Sequence, residues 1–114
     1  MAIQTEIALE RRGAKSIKPK DGERTKNGRT RVTANSTVLF IQAADVFGGS
    51  ITFVDRSPFG PMVVSYGTPL LVSVTFDESN AAANIYRYRC RGKTADGVDL
   101  DSDDGGGEMV VDRP

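Results

Sequence analysis

Histidine and tryptophan are absent from this chain of 114 residues, and cysteine occurs once, as Cys90. Without imidazole, Ser-His-Asp and Cys-His nucleophile systems cannot be built in their usual form. Most zinc and copper sites lose their main ligand as well, so no cofactor is expected. A single cysteine closes no intramolecular disulfide. A lone thiol with no histidine beside it reads as a small buried hydrophobe. Long apolar runs are also missing. No segment approaches the ~20 apolar residues of a membrane span, and the opening "MAIQTEIALERRG" has no apolar stretch of the signal-peptide kind. The expected location is the cytoplasm.

Net charge is lacking too, since fifteen bases balance fifteen acids. No global field therefore favours nucleic acid or an acidic membrane. The zero is a sum of blocks, however. Residues 1–31 hold nine Lys/Arg and four Asp/Glu, and residues 32–86 hold one and four. Residues 87–93 hold four and none, and residues 94–114 hold one and seven. Blocks of alternating sign favour contact between parts of the same chain.

What is present is mostly strand pattern. "LLVSVTF" (70–76) and "IYRYRCRGK" (85–93) alternate with period two. In the first, Leu70, Val72, Val74 and Phe76 share a face. In the second, Tyr86, Tyr88 and Cys90 face opposite to Arg87, Arg89 and Arg91. Val38-Leu39-Phe40-Ile41 is a continuous apolar run, typical of a strand covered on both faces. "TEIALE", "SITF", "MVVSYG" and "MVVD" read as shorter strands, and "DESNAAAN" as a turn or a single helical turn. About seven short strands with turn signals between them predict an all-β fold. The expected form is an antiparallel β-sandwich, immunoglobulin-like or cupredoxin-like, with a small β-barrel as the alternative. Two parts are expected. Residues 1–31 form an N-terminal segment with a basic flexible arm or long loop, and residues 32–114 form the sandwich. Within the arm, Asn27-Gly28 and Asp21-Gly22 are hairpin-type dipeptides.

The stretch "DGVDLDSDDGGGE" (96–108) packs six acids and four glycines together. A helix-loop-helix calcium loop starting at Asp99 would need Gly at Asp104 and Glu at Val110, and has neither. A looser calcium site from Asp101, Asp103, Asp104 and Glu108 is the residual metal candidate. A phosphate loop fails for want of Lys and Ser/Thr after the glycines. The favoured reading is a return strand. Asp96-Gly97 turns the chain, Leu100 pairs back, and Asp99 and Asp101 face the arginine side.

The basic side chains most available to a partner are Lys18, Lys20, Arg24, Lys26, Arg29 and Arg31 in the arm. "YRYRCR" interleaves rings and arginines but sends them to opposite faces, which a base-stacking platform cannot use. Phe59 in "DRSPFGPM" is either an apolar contact point for a partner or a lid folded onto the core. Beyond the arm the chain is similar, in general look, to small bacterial or phage β-sandwich proteins that end in a strand hairpin with tyrosines. The expected function is a non-catalytic protein-interaction or structural module, self-assembling as a homo-oligomer or part of a larger assembly. The alternative is a small nucleic-acid-binding protein led by the basic arm. Carboxylate pairs such as Asp77-Glu78 sit at turns, where nothing supplies a pocket for acid-base chemistry.

Overall fold

Apolar side chains at alternate positions make extended chain with one oily face, and such faces must be buried against each other. The computed structural model describes residues 4–42, 44–102 and 106–114. Its described residues form two mixed sheets and no α-helix. The smaller sheet has four strands: β1 (Gln4–Arg11), β2 (Ile17–Pro19), β5 (Thr37–Ile41) and β8 (Leu70–Leu71), in the order β2-β1-β5-β8. The larger has β3 (Thr25–Lys26), β4 (Arg29–Thr33), β6 (Ile51–Phe53), β7 (Val63–Val64), β9 (Ile85–Lys93), β10 (Asp99–Asp101) and β11 (Gly107–Asp112). Their order is β3-β4-β11-β9-β6-β7, with β10 also on β9.

Side chains of both sheets meet in one core. Ile7, Leu9, Val38 and Phe40 come from the smaller sheet; Val32, Ile51, Phe53, Tyr88, Cys90, Met109 and Val111 come from the larger. Aromatic rings bridge the two: Phe40 meets Tyr88 edge-on, with centroids 5.4 Å apart. The alternation in β9 is as the sequence reads, with Tyr86, Tyr88 and Cys90 buried.

Three expectations need correction. The sheets are not purely antiparallel: β1 runs parallel to β5, and β11 parallel to β4. The cause is an arch. β4 and β5 are consecutive but lie in different sheets, and the chain turns between them at Asn35, whose φ is 66°. The first and last strands then lie alongside the two legs of that arch.

The basic segment before residue 32 is not a free arm. It supplies β1, β2, β3 and most of β4, because single buried side chains suffice for such short strands: Ile17 is fully buried, as is Thr30. Asn27 (φ 53°) and Gly28 (φ 79°) make the left-handed pair that a two-residue hairpin turn requires between β3 and β4.

"LLVSVTF" is a strand only at Leu70–Leu71. Beyond it the backbone changes partners within two residues. Val72 N–H donates to Ser36 O and its carbonyl accepts from Asn35 N–H, while Ser73 N–H donates to Pro58 O. A segment bonded in turn to separate neighbours makes no ladder. "DESNAAAN" resolves into a 3-10 turn at Ala81–Asn84, capped by the Asn80 side chain.

Candidate interaction surface

The outward side chains of the larger sheet carry most of its charge. Along β9, Arg87, Arg89, Arg91 and Lys93 point away from the core because Tyr86, Tyr88 and Cys90 point into it. On β4, Arg29 and Arg31 are exposed for the same reason, with Thr30 and Val32 inward. Lys26 at the end of β3 is exposed beside them. Against these seven cations the same face sets four carboxylates: Asp99, Asp101, Glu108 and Asp112.

The parallel register of β11 and β4 puts Glu108 beside Arg29. Arg29 Nε and Nη2 both donate to Glu108 Oε2, at 3.1 and 2.8 Å. Arg31 makes a two-pronged pair with Asp112, Nε to Oδ2 at 3.1 Å and Nη2 to Oδ1 at 2.7 Å. Three cations of β9 pair at longer range. Arg87 lies 3.9 Å from Glu108, Arg91 3.9 Å from Asp101, and Lys93 3.9 Å from Asp99. Arg89 is 4.0 Å from Asp101. Exposed pairs of this kind contribute about 0–1 kcal/mol each.

An apolar strip borders the cations. In the β6–β7 hairpin Val63 pairs with Thr52 and shares its outward direction. Val54 follows Phe53 outward as well, and Met62 lies across from Phe53, whose N–H donates to Met62 O at 2.7 Å. Val54, Met62 and Val63 are 51%, 38% and 58% exposed. Among the described residues β7 ends the sheet order, so this strip lies at that edge.

The candidate residues divide in three. Arg24, Lys26, Arg29 and Arg31 come together at the β3–β4 end of the cationic face. There Lys26, Arg29, Arg87 and Glu108 line an open cleft of about 590 Å³, and Arg24, Arg29 and Arg31 border a second depression. Lys18 and Lys20 are elsewhere. They flank Pro19 on β2, the edge of the smaller sheet, where lysine and proline discourage pairing with another chain. Phe59 is not a protruding contact. Its ring packs edge-on against Phe40 and Phe53, at 6.4 and 5.6 Å, because the proline-flanked loop folds back over the gap between the sheets.

For the calcium candidate, Asp101 and Glu108 each face two arginines rather than one another. Asp103 and Asp104 lie outside the described residues. Among the described residues, no three His, Cys, Asp or Glu side chains are grouped to hold a metal ion. Cys90 is fully buried, and burial, with the nearby Asp101 carboxylate adding to it, pushes its thiol up to about 12. At neutral pH it is a packed thiol, not a nucleophile.

The predicted return strand is present. β10 runs back along β9 with Asp99 opposite Lys93 and Asp101 opposite Arg91. Val54, Met62 and Val63 do not stand out as a surface in the sequence. Their only sign was a valine at each end of a Pro/Gly-rich turn. No family model matches the chain, and no curated protein or solved structure matches it either.

Proposed function

We propose that the chain is a non-catalytic protein-interaction or structural module, a β-sandwich of immunoglobulin-like or cupredoxin-like type that associates with itself or joins a larger assembly. The observation that carries this reading is the mixed outer face of the larger sheet. Arginines and an adjoining strip of Val54, Met62 and Val63 offer charge and apolar area together. Protein interfaces favour arginine and apolar side chains in this combination. The core supports it from behind, since a packed aromatic interior fixes the position of each outward residue. The absence of reactive character at Cys90 agrees with a binding role.

Sedimentation of the wild type and of Val63→Glu tests the proposal. A mass above 12.3 kDa that falls to the monomer in the variant supports it. A strict monomer that retards single-stranded nucleic acid in a salt-sensitive way favours the alternative instead, in which the cations of β3, β4 and β9 bind phosphates.

A further inference from the structure

We propose that Asn27 is a deamidation site, converted to aspartate and isoaspartate through a cyclic imide when the β3–β4 hairpin opens. The chain has four asparagines, Asn27, Asn35, Asn80 and Asn84, and their surroundings set Asn27 apart.

Deamidation is a ring closure. The backbone nitrogen of the following residue gives its proton to hydroxide and attacks the asparagine Cγ. A bond forms between that nitrogen and Cγ, the Cγ–Nδ2 bond breaks, and Nδ2 leaves as ammonia. Water then opens the five-membered ring. Attack at Cγ restores the original backbone and yields aspartate. Attack at the backbone carbonyl carbon leaves the chain running through Cγ, which is isoaspartate. Nothing is oxidised or reduced. The reaction needs an unengaged side-chain amide, an unengaged neighbouring nitrogen and little bulk on the neighbour.

Three asparagines fail these needs. Asn84 is buried and bonds Asp77 in both directions, accepting from its N–H at 2.8 Å and donating to its carbonyl at 2.9 Å. The next nitrogen, that of Ile85, donates to Ala82 O. Asn80 Oδ1 accepts from the Ala82 amide at 3.1 Å as the cap of the 3-10 turn. Asn35 precedes Ser36, which is buried and whose amide donates to Thr33 O at 3.1 Å. Asn27 is exposed, and its side chain has no hydrogen bond among the described residues. Gly28 follows it with no side chain to block the approach. The Gly28 N–H has no acceptor among the described residues.

The hairpin sets the pace. For the ring to close, the Gly28 nitrogen must swing to the Cβ side of Asn27, and the left-handed turn holds it away (φ 53° at Asn27, 79° at Gly28). The Asn27 amide donates to Asp21 Oδ1 at 2.9 Å, and Gly28 O accepts from the Glu108 amide at 2.8 Å. Opening is nevertheless local. β3 has two residues and ends the sheet order, and its buried tie to β4 is the 2.7 Å contact between the Thr25 and Thr30 hydroxyls. Short edge elements open more readily than the core. Isoaspartate adds one carbon to the main chain of a two-residue turn, so Lys26 and Arg29 lose the register that pairs them. Either product sets a new carboxylate in the cleft lined by Lys26 and Arg29.

The test is peptide mapping by mass spectrometry on the full chain, held at neutral and at mildly alkaline pH. Isoaspartate is told from aspartate by its resistance to an aspartate-specific protease. The expected result is conversion at Asn27 ahead of the other three, faster at the higher pH, with both products formed. Thr30→Val removes the hydroxyl contact beneath the hairpin and should raise the rate about twofold to tenfold. Should that variant not fold, urea below the unfolding transition reads the same gating on the wild type. Conversion first at Asn35, Asn80 or Asn84 overturns the inference. So does an Asn27 that stays intact for as long as the urea-unfolded chain takes to convert fully, or a rate unmoved by loosening the hairpin.

Discussion

Ser102 Oγ accepts a hydrogen bond from the Cys90 amide at 2.8 Å, while the Ser102 amide donates to the Cys90 carbonyl at 3.1 Å. A side chain here takes the place of a missing carbonyl. β10 and β11 lie on the same side of β9, β10 opposite Arg91, Gly92 and Lys93 and β11 opposite Ile85 to Tyr88, with Cys90 between the two registers. Ser102 satisfies the Cys90 N–H there, and it is fully buried.

Ser102→Ala should therefore destabilise the fold by about 1–3 kcal/mol, the cost of leaving a buried amide unpaired. Denaturant unfolding of the two proteins measures it. A change near zero would mean that another group reaches the Cys90 amide.

Phe40→Ala should cost about 3–5 kcal/mol. Phe40 is fully buried and touches both Phe59 and Tyr88, so its loss opens a cavity where the two sheets meet. The same denaturant melts read it, and the variant should bind an apolar dye if the sheets loosen.

Two glycines should behave differently. Gly49 has φ +91°, and a Cβ there would overlap the Arg91 carbonyl. Gly97 has φ +83° but faces open space. Gly97→Ala should cost about 1–2 kcal/mol from the left-handed backbone alone. Gly49→Ala should cost more, because Ser50 and Arg91 bond each other in both directions beside it and the backbone cannot move away freely. Thermal melts of the pair check the order.

Stability should fall at high pH. Burial raises Cys90 from 9.0 to about 12, and it also raises Tyr66 and Tyr88 above their usual 10.0. As pH rises past 9.0 the unfolded thiol loses its proton while the folded one keeps it. The unfolded state then binds fewer protons, so unfolding becomes easier with each step up to about 12. One such group contributes a slope of about 1.4 kcal/mol per pH step. Cys90→Ala should flatten the curve between pH 9.0 and 10.0 and lessen its slope above that, where Tyr66 and Tyr88 still contribute. A stability constant between pH 9.0 and about 12 in the wild type would contradict the burial of these groups.

The parts of this fold that the sequence announced are those written in local alternation. Tyr86, Tyr88 and Cys90 share a face by period two alone, and the Asp96-Gly97 turn with Leu100 returning follows from neighbours in sequence. The parallel pairs were not legible. Nothing in Gln4–Arg11 states that it will lie beside Thr37–Ile41, since that choice is made by the arch at Asn35 and by packing across the core. Val72 and Phe76 misled because burial alternates there without a ladder: Val72 is fully buried, yet its amide bonds a turn. The candidate surface was half legible. Arg29 and Arg31 stand out in the sequence only as basic residues of a polar segment, whereas their place is in a sheet, joined to Glu108 and Asp112 from the far end of the chain.

The central claim is that the outer face of the larger sheet is where this protein makes contact. Amide chemical shifts followed by NMR on diluting the labelled chain test it most directly. The account predicts concentration-dependent changes gathered on Thr52, Val54, Val63 and the outward residues of β9. Changes confined to the smaller sheet, around Glu6, Ile41 and Leu71, or no change at any concentration together with a monomeric mass, would contradict it.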